Sequence, residues 1–196
     1  MQEIELTIKD QEDGVFAISL VNSPAIEENW VALKSQGIDL KVIDEERRVV
    51  VGMALIPEKR IYRKMQGQEF NIYFTKETIA QTQELYMRNL NLNNVTTEHQ
   101  KPIQGATVIE SWIVENSKMD KSNIWNLEAP EGAWVVMMKI NNEDTWEQVK
   151  DGSFKGFSIE GSFSGFENLE GIEASKQLSE DEKMVEKIKT IIKENL

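Results

Sequence analysis

The chain contains no cysteine, one histidine, four prolines and fewer basic than acidic residues. Each shortage removes a class of chemistry. Without cysteine there is no disulfide framework, no thiolate nucleophile and no Cys-ligated zinc, which sits easily with a reducing compartment. A lone histidine leaves a zinc site short of nitrogen ligands. The 22 basic and 34 acidic residues leave a net charge of −12. That balance argues against a nucleic-acid partner, because such binders draw their affinity from neutralising phosphates. It disfavours an anionic membrane surface for the same reason. No apolar run approaches the ~20 residues needed to cross a bilayer, and "MQEIELTIKD" lacks the basic start and apolar centre of a secretory signal. Gly-rich phosphate loops, the EF-hand spacing and the GxSxG elbow are all missing. A carboxylate-only Ca²⁺ or Mg²⁺ site stays open, but the expectation is a protein without a cofactor.

What is present suits a folded domain. The chain has 196 residues, of which 40% are hydrophobic and 29% charged, enough to bury a core. "EIELTIKD" alternates with period two, and "DGVFAISLVN" reads as its hairpin partner across a Gly turn. Ser23, Pro24 and Gly37 bracket a short helix. "RRVVVGMALIPEK" and "EFNIYFT" are β-prone. Thr75 caps a helix through "KETIAQTQELYMRNL". "ATVIESWIVEN" and "AWVVMMKI" are strands, and "NNEDTWEQVKDG" is a compact helix ending at Gly152. The Trp and Met residues at 112, 125, 134, 137, 138 and 146 read as core. These elements show no βαβ alternation. They predict an α+β fold: a mostly antiparallel β-barrel of about seven strands, closed or nearly so, with surrounding helices. The barrel domain is placed at residues 1–166. An acidic linker and an amphipathic helix, with Ser179 and Glu182 as capping box, are placed at 167–196. That helix either packs on the domain or serves as an oligomerising or scaffold-linking helix, so a homo-oligomer stays open.

The candidate chemistry lies in two stretches. In "KDGSFKGFSIEGSF" (150–163) Phe157, Ile159 and Phe163 share one face of a strand. Gly156, Ser158, Glu160 and Ser162 share the other. Ser158 therefore points away from the apolar side, where a nucleophile must be to meet a substrate, and the glycines permit close backbone approach. A half-exposed strand also puts Ser on its wet face for no chemical reason. The second stretch, "VTTEHQKPIQGATVIESWIVEN" (95–116), holds His99, the one imidazole able to act as base for a Ser hydroxyl. Its bland alternative is a hydrogen-bonded structural histidine. Glu110 lies in the most apolar strand of the second half, on a face with Val108, Trp112 and Val114. A carboxylate buried there needs a partner, and orienting a catalytic His is the usual task of such an acid. Glu160 and Glu98 are the other candidates, and a Glu110 facing solvent at a barrel rim is the competing reading.

The order of His, "ESWIVE", "PEGAWVVMMKI", a short helix and "GSFKGFSIEGSF" resembles the XkdF-type serine proteases of tailed phages, relatives of the prohead maturation proteases. "FAISLVNSPAIEENW" and "VVVGMALIPEKRIYR" extend the likeness over about residues 15–165. The resemblance implies an assemblin-like barrel with His99 as base and Ser158 as nucleophile. Assemblins use a second His as third member; this chain has none, so an acid must serve or the place is empty, and Glu110 is the first choice. The resemblance further implies a serine endopeptidase of procapsid maturation that cleaves scaffold and major capsid proteins, and itself, inside the assembling procapsid in the bacterial cytoplasm. Two other classes compete: a non-catalytic capsid-assembly or scaffold-associated module of the same fold, and a small-ligand-binding barrel with a Trp-lined interior.

Overall fold

A computed structural model of the chain describes residues 1–10, 12–22, 26–27, 30–31, 40–65 and 67–169. The helix expected around Ser179 and Glu182 lies outside them.

Among the described residues, three sheets and a hairpin of two-residue strands carry the fold. The first sheet runs β1 (Gln2–Glu5), β8 (Gln68–Tyr73), β7 (Ile61–Met65). The second runs β10 (Lys101–Pro102), β9 (Val95–Thr97), β2 (Gly14–Val21), β13 (Gly156–Ser162). The third runs β11 (Ala106–Ile113), β12 (Trp134–Ile140), β6 (Val49–Leu55), β5 (Lys41–Asp44). The hairpin pairs β3 (Ile26–Glu27) with β4 (Trp30–Val31). It stands where a helix was expected from Ser23; most of that stretch lies outside the described residues, and at 26–27 and 30–31 the backbone is extended. Seven of the nine strand pairs are antiparallel; β1–β8 and β2–β9 are parallel. Thus β1 does not form a hairpin with β2, which instead lies in the middle of the second sheet.

The expectation of a closed barrel is overturned, because none of the sheets closes on itself. Closure needs ladders that continue around a ring, and here they stop. Between β13 and β6 the contact is made by side chains: a Cβ on Gly52 would lie 3.0 Å from the Phe157 ring. Elsewhere isolated contacts bridge the segments that flank the sheets, such as Leu40 N–H to Lys155 O at 2.6 Å and the two reciprocal bonds of an isolated Thr7–Ser164 bridge. Register shifts at Val42/Asp44, Val108/Glu110, Trp134/Val135 and Glu160/Gly161 interrupt the ladders further. Bulges of this kind add local twist and end pairing.

The two α-helices among the described residues, α1 (Lys76–Arg88) and α2 (Glu143–Lys150), start where their caps predict. The Thr75 and Asn142 side chains accept the N–H groups of Thr78 and Thr145, satisfying donors that a helix start leaves open. α1 buries Ile79 and Tyr86 against β2, β11 and β12, and Tyr86 meets Trp134 edge to face. The main core joins Ile4, Ile18, Leu20, Phe70, Trp134 and Phe157 from all three sheets with Ile79 of α1. Among the described residues no helix is long and apolar enough to cross a membrane.

Candidate active site

Strand β2 organises the site. Its run from Val15 to Val21 is apolar apart from Ser19, and period two divides it. Ile18 and Leu20 enter the core, while Ala17 and Ser19 point to the other face. Antiparallel pairing sets Ser158 of β13 directly opposite Ser19, and Glu160 opposite Ala17. Parallel pairing sets Thr96 of β9 beside Ser19 on the far flank. Opposed residues share a face, so Ser158, Ser19 and Thr96 form one row across three strands. Glu160 begins the next row. Ser19 and Thr96 are fully buried, Glu160 is 4% exposed, and Ser158 is half-buried. The face opposite the core is therefore a buried polar cluster with Ser158 at its more accessible part.

His99 reaches this cluster through a tight turn. Thr97 pairs with Lys101 across the β9–β10 hairpin, and Gln100 N–H donates to Thr97 O at 3.0 Å. The two central residues, Glu98 and His99, have φ of 50° and 56°. These are the values of a hairpin turn that normally recruits Asn-Gly, and side-chain sterics make left-handed backbone cost about 1–2 kcal/mol per residue. Three hydrogen bonds to the end of β2 and the residue after it hold the turn. Glu98 N–H donates to Leu20 O at 3.0 Å, Asn22 N–H donates to the Glu98 carboxylate at 2.6 Å, and His99 N–H donates to Ser19 Oγ at 3.0 Å. Local strain held by surrounding contacts is a recurring mark of functional positions. Here it fixes the one imidazole, 19% exposed, over the polar face.

The imidazole faces a carboxylate. His99 Nδ1 lies 3.3 Å from Glu160 Oε1, and the Thr96 hydroxyl donates to that same oxygen. Glu160 Oε2 is buried and has no hydrogen-bond partner among the described residues. A buried ionised carboxylate is costly without donors or a counter-charge. Thr96 and His99 supply the donors, and a protonated His99 would supply the charge. With a proton on Nδ1, that ring nitrogen donates to Glu160 and leaves Nε2 as the acceptor, the tautomer required of a general base.

Glu110 is elsewhere. It lies on β11 in the third sheet, 44% exposed, in an ion pair with Lys121. The register shift between Val108 and Glu110 breaks the period-two count that set Glu110 on the apolar face; Val108 and Val114 are buried and Glu110 is not. The burial that recommended Glu110 as the orienting acid is thus not there. Around it, Lys121 Nζ sits 3.9 Å above the Trp112 ring and Trp112 Nε1–H donates to Asp120, a surface cluster. Glu98 is near the site, but its carboxylate is taken up by Asn22 N–H. The structure brings His99 and Glu160 into contact and aligns Ser158 with Ser19, the residue that holds the His99 backbone. Ser19 and Thr96 were missed in the sequence. For Ser19 a signal exists, since it is the single polar side chain in an apolar strand; for Thr96 none does, since Thr is ordinary in strands. Among the described residues no group of three His, Asp or Glu side chains is arranged to hold a metal ion.

A hydroxyl, an imidazole and a buried carboxylate on one sheet face are the side-chain types that serine hydrolases employ. The family model described as "Putative phage serine protease XkdF" matches residues 38–167, 130 of the 196 residues counting both ends. The chain belongs to this family of phage serine proteases. The matched span contains His99, Glu160 and Ser158 and leaves β2 outside. No curated protein and no solved structure matches the chain.

Proposed function

We propose that the protein is a serine endopeptidase of phage procapsid maturation, with Ser158 as nucleophile, His99 as general base and Glu160, in place of Glu110, as the orienting acid. The observation that carries the reading is the 3.3 Å approach of the only imidazole to a buried carboxylate two residues from Ser158 on the same strand. In this mechanism Ser158 Oγ attacks the scissile carbonyl carbon while its proton passes to His99 Nε2. Glu160 stays ionised and stabilises the imidazolium through Nδ1–H. The tetrahedral intermediate collapses by breaking the C–N bond, and Nε2 returns the proton to the leaving amine. Water, deprotonated by the same nitrogen, then releases the acyl group from Ser158. The substrates in this reading are scaffold and major capsid protein segments and the chain itself, cleaved inside the assembling procapsid. Membership of a family of phage serine proteases supports that assignment.

A fluorophosphonate probe tests the reading. Wild-type protein is expected to gain one adduct that maps to Ser158, and Ser158→Ala to gain none. Labelling at another serine, or equal labelling of the variant, would remove Ser158 from the nucleophile's role.

A further inference from the structure

The Glu160 carboxylate is served unequally. Oε1 receives the Thr96 hydroxyl and faces His99 Nδ1, whereas Oε2 has no partner among the described residues. A carboxylate with equivalent oxygens can turn about its last torsion, because terminal sp³–sp² torsions are broad. The donor that meets this oxygen besides the imidazole, and so can hold the torsion with an oxygen toward His99, is the Thr96 hydroxyl. Thr96 is suited to the task. It is fully buried on β9, which is paired on both sides, by β10 and β2. Its branched Cβ restricts its side-chain rotamer. An ionised carboxylate only accepts, so the Thr96 hydroxyl must donate to it.

We propose that Thr96 is a positioning residue of the site: by donating to Oε1 it aims Glu160 at His99 Nδ1 and so keeps neutral His99 in the Nδ1–H tautomer, with Nε2 as the basic nitrogen. The proposal rests on the His99–Glu160 pairing described above and assigns Thr96 no contact with substrate. Two other charged side chains lie on the same hairpin. Glu98 is engaged by Asn22 N–H, and Lys101 is exposed on β10. Within the described contacts of His99, Glu160 is the carboxylate that reads its ring.

The single histidine makes the test direct, because ring ¹⁵N shifts of the full-length protein report one imidazole only. Neutral wild-type His99 is expected to be in the Nδ1–H form, and a wild-type Nε2–H form would overturn the His99–Glu160 pairing itself. Thr96→Val keeps the shape and removes the donor. In the folded variant the Nε2–H form should rise to at least an equal share, and Thr96→Ser should restore the wild-type tautomer. A folded Thr96→Val protein that keeps the pure Nδ1–H form would overturn the role of Thr96 while leaving the pairing intact. The wild-type protein offers a check that needs no variant. The Thr96 hydroxyl proton should be a resolved, slowly exchanging resonance, and rapid exchange with water would also overturn the proposal.

Discussion

At the scale of single residues, two glutamates separate by environment. Glu160 is buried beneath His99, and Glu110 stands in solvent beside Lys121. Replacing an orienting acid by its amide in a serine triad lowers kcat by about ten-thousandfold, through the wrong tautomer, with the fold retained. We therefore expect Glu160→Gln to lose about three to four orders of magnitude in the rate of probe labelling. Glu110→Gln should label at the wild-type rate, because the proposed site does not include Glu110 and an exposed ion pair contributes only about 0–1 kcal/mol to stability. Labelling rates of the two purified variants decide it; a slow Glu110→Gln with a normal Glu160→Gln would reverse the assignment. His99 and Ser158 were legible in the sequence as residue types with the right chemistry. Which glutamate stands beside His99 was legible only as a set of three. Choosing among the three required knowing that β11 carries a bulge before Glu110, and a one-residue slip flips a strand's faces.

At the scale of elements, α1 and α2 were the most legible parts. Their start signals are local: Thr75 and Asn142 accept backbone N–H groups within three residues of themselves. Strands β6, β8, β11, β12 and β13 were legible from β-prone runs, while β5 and β7, shorter and more polar, were not singled out. Partners were less legible still, because pairing β1 with β8 spans more than sixty residues and no local pattern encodes it. One element carries an internal cost. Tyr86 of α1 packs its ring on Trp134, but its hydroxyl is buried with no partner among the described residues, and burial pushes its ionisation well above the usual phenol range. A buried unsatisfied hydroxyl costs about 1–3 kcal/mol. Tyr86→Phe should accordingly be neutral to stabilising, by up to about 2 kcal/mol, read as a higher urea midpoint at unchanged m-value. A clear loss of stability would mean that the hydroxyl has a partner.

At the scale of the whole molecule, short sheets pack on one another through a shared core. The barrel expected from strand count failed because β-rich composition fixes neither which edges meet nor whether ladders continue across them. The chain ends of the described fold are tied together by exposed polar contacts. Lys9 Nζ donates to Glu167 at 2.6 Å and Gly165 N–H donates to the same carboxylate at 2.7 Å. The Lys9 ammonium first, and then the backbone N–H groups of Glu167 and Gly165, hold the Glu167 carboxyl down at about 2. A carboxyl depressed on folding adds stability above its unfolded pKa of about 4.3 and loses it as pH falls through the folded value. The wild-type advantage over Glu167→Gln in urea midpoint should thus shrink between about pH 4.3 and pH 2. It should be small and weaken with salt, since the pair is exposed. A difference that does not change across that window would show that Glu167 is not held in the folded state.

The chain's single histidine also allows the site as a whole to be tested in one measurement: the pH dependence of fluorophosphonate labelling at Ser158, set against the NMR titration of His99 in the same protein. If His99 is the base, the labelling rate rises with pH along one sigmoid whose midpoint coincides with the imidazole's own pKa. A rate that stays flat across the measured titration of His99, or one that titrates at a midpoint away from it, contradicts the account.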